Sequence, residues 1–412
     1  MPYPQELLDM DTTQQSIAKE AISGTDMFLK NTEFGRLESS YIILVARILS
    51  DMKPFAWMKT VIPTHIHHSY SASMSHRNEV FNLSIIHKNE AKYEDCLNIM
   101  DTIENCLQQV YTEAHGGDQL TKVRFDGAAT LRLLSPTAAG TLDHIKSHFC
   151  ELCHLKQDFF RKVKDLSKNS QDKKDDELYN YCCNSCTWGL HLVQLDELVK
   201  ECDITIIIPN LKLCLPFLFS HSNRSKYLEQ AIDYICQTQY LLSPLNKIRV
   251  LEGSFINLKG GIGNNIEADL VQEHSVREQK VLIKGLGANK PENAISVVTA
   301  AASAVTRICN HFDDTFSVSK VSTRHTSKAS QKDHEIVQEV LRRIHPFKFQ
   351  SGRMCAGFLA LKSNQCKQID LNCMLSDYEQ LLERILQGHI TIPEVDEDAV
   401  LSSNEEEIPE LP

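Results

Sequence analysis

DITIIIPN, Asp203–Asn210, is the stretch on which the fold class turns. Five β-branched residues in a row, Ile204 to Ile208, are stiff about χ1 and suit a pleated surface. Asp203 on one side and Pro209-Asn210 on the other bound the run, which reads as a short buried strand. Arg249–Leu258 is the next best strand, and a third short one would complete a small sheet. The rest of the chain reads as helix. The predicted class is therefore α+β, predominantly α-helical with a small mixed sheet.

The helices follow from apolar spacing. Tyr41–Leu49 (YIILVARIL) predicts a buried helix ending near Asp51. From Lys88, the residues Leu97, Met100, Ile103, Leu107 and Val110 recur at three- and four-residue steps. A second amphipathic helix is expected over Ala139–Leu166, its stripe including Leu142, Ile145, Phe149 and Leu152. Further helices are expected over Tyr181–Glu201, Tyr227–Tyr240 and Pro291–Cys309. In the last, proline suits the first helical position, and Ile295, Val298, Ala302, Val305 and Ile308 should face inward. His65, His67 and His68 follow Pro63 in an extended, loop-like stretch.

Five regions follow. Residues 1–35 are polar and read as loosely ordered, with one short helix over Thr13–Ala21. Residues 36–316 form the main domain, 317–333 a linker or mobile loop, and 334–392 a C-terminal helical portion. Residues 393–412 read as an acidic tail, disordered by composition.

The net charge of −11 sits mostly in that tail. Ile390–Pro412 holds eight acids and no Lys or Arg. Without those eight, 43 Lys and Arg stand against 46 Asp and Glu, a net of −3. Such a body makes no electrostatic case for or against nucleic acid as a partner. No apolar run approaches about 18 residues, so no membrane span is expected. MPYPQELLDMD lacks the basic-then-apolar order of a secretory signal, which places the chain inside the cell, in nucleus or cytoplasm. The fourteen cysteines then read as reduced thiols.

Two polar motifs are not explained by core packing. In HGGDQLTKVR, His115–Arg124, the glycine pair lets the backbone turn and leaves the Asp118 carboxylate open to a ligand, a metal or the next helix's amides. Spacing alone favours the cap. In GIGNNIEADLVQEHSVREQK, Gly261–Lys280, a helix from about Ile266 puts Asp269 and Glu273 on one face, with Glu273 and Arg277 again four apart. Such a carboxylate pair could serve a divalent cation if a second segment supplied more oxygen ligands. Spacing alone favours a solvated face with ion pairs. The candidate polar cluster comprises His115, Gly116, Gly117, Gln119, Thr121, Arg124, Asn265, His274 and Arg277, around the candidate acids Asp118, Asp269 and Glu273. Cys150/Cys153 and Cys183/Cys186 have the internal spacing of half zinc sites, but the gap between them exceeds that of a zinc ribbon. GIGNN and GLGAN lack the features of a phosphate loop.

HGGDQLTKVRFDGAATLR resembles the GGDQLT block of the domain of unknown function 6589 family. VIPTHIHHSYSASMSHRNEV and HKNEAKYEDCLNIMD are similar to its upstream segment, and GGIGNNIEADLVQEHSVREQKVLIKGLGANKPENAI to its downstream one. Together they span roughly residues 40 to 310. The resemblance implies descent from a mobile-element protein. By analogy it implies an RNase H-like core in degenerate form, in which acids hold two Mg²⁺ ions for phosphodiester chemistry. Asp118 would then be the first acid, Asp203 the middle one, and Asp269 or Glu273 the last. Asp118 and Glu273 should approach within about 4–8 Å. Here a helix meets GGDQLT directly, where the family has a strand-like run, and the N-terminus reads short for an upstream nucleic-acid-binding module. The leading expectation is thus a non-catalytic protein acting by binding nucleic acid or protein. The alternatives are a Mg²⁺-dependent nuclease or transposase-like enzyme using Asp118, Asp269 and Glu273, and an interaction scaffold with an acidic recruiting tail.

Overall fold

The structure is a computed structural model. It describes residues 22–80, 85–88, 92, 95, 98–99, 101–103, 105–106, 109, 123–125, 145–148, 155–156, 176–221, 226–242, 244–288, 290–317, 327–354 and 369–387. The longer helices are α1 (Asn31–Ser50), α2 (Glu177–Glu201), α3 (Ile207–His221), α4 (Lys226–Cys236), α5 (Pro244–Glu252), α6 (Ala268–Gly285), α7 (Glu292–Ala300), α8 (Ala302–Thr315), α9 (Ser327–Ile344) and α10 (Leu371–Gln387). Short segments form β1 (Val123–Phe125), β2 (Ile145–His148), β3 (Phe255–Asn257) and β4 (Asn265–Glu267). The molecule is mostly helical, as expected. Its strands form two separate two-stranded ladders, β1–β2 parallel and β3–β4 antiparallel. No larger sheet occurs among the described residues, so nothing described assembles an RNase H-like core.

DITIIIPN is not a strand. Ile204–Ile206 make a single 3-10 turn that runs into α3. Asp203 is its cap: the Asp203 carboxylate accepts from the Thr205 backbone N–H at 3.0 Å and from the Thr205 hydroxyl at 2.7 Å. Pro209 sits in the first turn of α3, where a missing N–H breaks no helical bond. The four isoleucines are buried because α3 runs through the middle of the core, with Leu211, Leu215, Phe217 and Leu218 also inaccessible. A helix that is apolar on all sides carries no helical period, and its β-branched residues then mimic a strand.

Around α3 lie α1, α2, α4 and, across α4, α10. On α1, Leu37 and Leu44 face inward at heptad spacing, while Ile42, Val45 and Ile48 are exposed. The Tyr41–Leu49 helix is therefore amphipathic rather than wholly buried, and it ends at Asp51 as expected. Tyr181–Glu201 lies within α2. Tyr227–Tyr240 is α4 followed by a π-helical turn, Gln237–Leu241.

Other expectations need correction. Arg249–Leu258 is mostly α5, and only Phe255–Asn257 is strand. Ile145–His148, expected inside a helix, is β2. Pro291 is the cap before α7, not its first residue, and the helix breaks at Ala301. Ala302 is buried, but Val305 and Ile308 face out. Residues 327–332, expected in a linker, open α9. Residues 22–35, expected to be loosely ordered, pack on the body: Met27 is in the core, and Phe28 packs on Tyr378 of α10. The Thr13–Ala21 helix and the acidic tail lie outside the described residues.

Two polar ties hold distant elements. Burial alone would raise the Asp176 carboxyl. Arg353 and the amides of Tyr179 and Gln350 hold it below the usual carboxylate range instead. The same Arg353 guanidinium donates to the carbonyls of Ile344, His345, Pro346 and Lys348, fastening the end of α9 to the start of α2. Lys212 of α3 pairs with Glu33 of α1 at 3.0 Å. Among the described residues, no helix is long and apolar enough to cross a membrane.

Gly24 fixes how closely the N-terminal turn approaches α10. A Cβ there would lie 2.8 Å from Leu375 Cδ1 and 3.0 Å from the Leu375 carbonyl oxygen. The Leu375 and Glu379 side chains must shift to admit it, and the Leu375 carbonyl must give by a few tenths of an ångström. Gly24→Ala is expected to lower stability by about 1–3 kcal/mol, read as a drop in the urea midpoint at unchanged m-value.

Candidate functional site

Two segments far apart in the chain meet at one end of α2. Residues 63–78 cross the C-terminal end of α2 and then dock on the β3–β4 turn. Asn257, wholly buried, organises the contact. Its backbone N–H donates to the Asn78 side-chain oxygen at 2.7 Å, and the Asn78 N–H donates to its carbonyl at 2.7 Å. Its side-chain amide donates to the carbonyls of Met74 and Gly261, and its side-chain oxygen accepts from the Gly260 N–H. The Gly261 N–H donates to the Ser75 carbonyl at 2.8 Å. Gly260 and Gly261 hold φ of +76° and +82°, a conformation L side chains rarely adopt. HIHHSYSASMSHRN and GGIGNN, both family-like segments, thus form one polar knot.

Beside that knot lies a buried chain of titratable groups. The His65 Nδ1–H donates to Glu201 Oε2 at 2.5 Å, which leaves Nε2 to accept from the Ser71 hydroxyl at 2.7 Å. The Ile66 backbone N–H reaches the same Glu201 oxygen at 2.9 Å. Arg47 of α1 binds the other Glu201 oxygen at 2.6 Å and Glu197 at 2.7 Å. His68 Nε2–H donates to the Glu201 backbone carbonyl, and the His68 N–H donates to Ser71 Oγ at 3.0 Å. His65 and Glu201 are each 7 % exposed. Ser71 opens a single helical turn, Ser71–Met74, and is half-buried. The Glu201 charge meets the Arg47 guanidinium, as burial demands.

A further buried set links Tyr41, His191 and Cys214. The Tyr41 hydroxyl lies 2.5 Å from His191 Nδ1, and Cys214 Sγ lies 3.1 Å from Nε2. A Cys–His pair is a nucleophile's arrangement, but burial decides against it here. Cys214 is wholly inaccessible, and burial pushes its thiol up. Burial likewise lowers the His191 imidazole to about 3. The pair is a neutral core network.

The candidate residues named from sequence are not all brought together. His115, Gly116, Gly117, Asp118, Gln119 and Thr121 lie outside the described residues, and Arg124 sits in β1. Asn265 is buried in β4, with its side-chain oxygen unpaired among the described residues. Asp269 and Glu273 lie on α6 at the expected four-residue spacing. Asp269 is half-buried, Glu273 and Arg277 are placed toward solvent on the same helix, and His274 is exposed with them. Asp203, expected as the middle acid, caps the turn that leads into α3. Glu267, which no motif marks out, is buried and pairs with Lys156. Burial alone would lower the Lys156 ammonium, but Glu267 and Asp196 hold it above its ordinary value. Cys183 and Cys186 lie on α2, and Cys150 and Cys153 lie outside the described residues. Among the described residues, no three His, Cys, Asp or Glu side chains are placed to hold a metal ion.

The histidine cluster is half legible in the sequence. Three histidines within four residues after a proline stand out, but Glu201 lies 136 positions from His65, and no spacing rule links them.

His191 gives a pH test with a definite sign. Its folded value is depressed, so below about 6.5 the unfolded chain takes up a proton that the folded chain refuses. The His191 contribution to stability is full above that pH and drains away as pH falls toward about 3. The loss approaches about 1.4 kcal/mol per pH unit. Urea midpoints measured from about pH 7.5 to 5 should fall more steeply in the wild type than in His191→Gln.

Residues 160–325 match the model of a family of unknown function, DUF6589. The matched region takes in α2 through α8, including Gly261–Lys280 and the GLGANKPENAI run. It starts downstream of His115–Arg124. No curated protein and no solved structure matches the chain. Residues 160–325 are thus similar to DUF6589, the family that the downstream segments resemble.

Proposed function

We propose that this chain is a binding protein of mobile-element ancestry with no role in phosphodiester cleavage. The observation that carries the reading is the outer face of α8. Val305, Ile308 and Phe312, continued by Phe316, recur at helical spacing and are 40 %, 69 %, 56 % and 65 % exposed. Phe312 and Phe316 pack with ring centroids 4.5 Å apart. An amphipathic helix that turns its apolar stripe outward supports a protein partner with a complementary apolar groove.

The acids support the same conclusion. Two-metal chemistry needs carboxylates held rigidly around one cavity. Asp203 is engaged by Thr205, and Glu273 stands exposed on α6. The ancestry rests on the family-like segments, and the binding role on α8.

Two measurements test this. Titration with an anilinonaphthalene dye should show binding that Ile308→Glu with Phe312→Glu abolishes, at a melting temperature close to the wild type. Equal dye binding by the variant would remove α8 as the face. Mg²⁺ or Mn²⁺ should stabilise the wild type no more than Asp118→Asn with Glu273→Gln. Metal-dependent stabilisation lost in that variant, with cleavage of a nucleic-acid substrate, would restore the nuclease reading.

A further inference from the structure

From the cluster at the end of α2, we infer that Ser71 is a reactive nucleophile for acyl groups, with His65 as its base and Glu201 as the positioning residue. The site is independent of the α8 face and of phosphodiester chemistry.

Ser71 Oγ, His65 Nε2, His65 Nδ1 and Glu201 Oε2 form one line of hydrogen bonds, at 2.7 Å and 2.5 Å. Acceptance by Glu201 fixes the proton on Nδ1 and turns the Nε2 lone pair toward the serine. Glu201 is itself held by the Ile66 amide and by Arg47, so the imidazole cannot swing. Burial is graded in the direction the chemistry needs. The base and the carboxylate are buried, while Ser71 is half-buried, with His67, Ser69 and Ala72 exposed around it.

The Ser71 oxygen accepts one backbone hydrogen bond, from the His68 N–H, and a second lone pair remains for attack. With an activated ester, Ser71 Oγ bonds to the carbonyl carbon and the bond from that carbon to the leaving group breaks. His65 Nε2 takes the serine proton and passes it to the leaving group. Water then attacks the acyl-serine by the same route, which releases the carboxylic acid and restores Ser71.

The test uses the full chain, a fluorophosphonate probe and p-nitrophenyl acetate. The wild type should form a phosphonyl adduct that maps to Ser71 by peptide mass, and heat-unfolded protein should not. It should also release nitrophenolate from the ester, and Ser71→Ala should remove both the adduct and this release. Glu201→Gln should slow labelling at least tenfold in protein that still unfolds cooperatively, which a purely structural clasp would not do to a half-buried serine. Should Glu201→Gln fail to fold, the wild-type adduct alone decides. Absence of an adduct on Ser71 in folded wild type, or equal labelling after unfolding, would overturn the inference.

Discussion

The Glu201 carboxylate is the constraint on which the arrangement around α2 depends. It ends α2 and faces three groups at once: Arg47 from α1, then His65 and the Ile66 amide from the segment that follows. A carboxylate this buried is tolerated only when its charge and lone pairs are satisfied. The same residue sits two positions before Asp203, whose cap starts the turn into α3. The path of the chain into the central helix and the anchoring of residues 63–78 are thus set within three residues. The Asn257 knot then carries that anchoring on to the β3–β4 turn.

Much of the helical fold is legible in the sequence, because surface helices announce themselves by period. The helices expected over Tyr181–Glu201 and Tyr227–Tyr240 fall on α2 and α4, and the run that follows Leu49 marks the end of α1. DITIIIPN escapes this reading, since α3 is enclosed and its isoleucines have no polar face to reveal a period. Arg249–Leu258 fails differently: a helix end and a three-residue strand merge into one apparent element, and boundaries of that kind carry little signal. Val305 and Ile308 do share one apolar stripe, but the stripe faces outward. Periodicity gives a stripe, not what the stripe faces.

The site is legible only in fragments. The glycines and asparagines of GGIGNN and the histidines after Pro63 stand out as polar features without a packing role. Their meeting depends on Asn257, which nothing local marks out. Glu201 looks like the last residue of an ordinary helix. Pairings across more than a hundred residues are decided by how α1, α2 and the β3–β4 turn stack, and stacking is not written in local spacing.

A double-mutant cycle over His65 and Glu201 tests the central claim most directly. Urea unfolding of the wild type, His65→Ala, Glu201→Ala and the double variant gives their coupling energy. A buried, hydrogen-bonded pair is expected to couple by about 1–3 kcal/mol. Additive effects, with coupling near zero, would contradict the account.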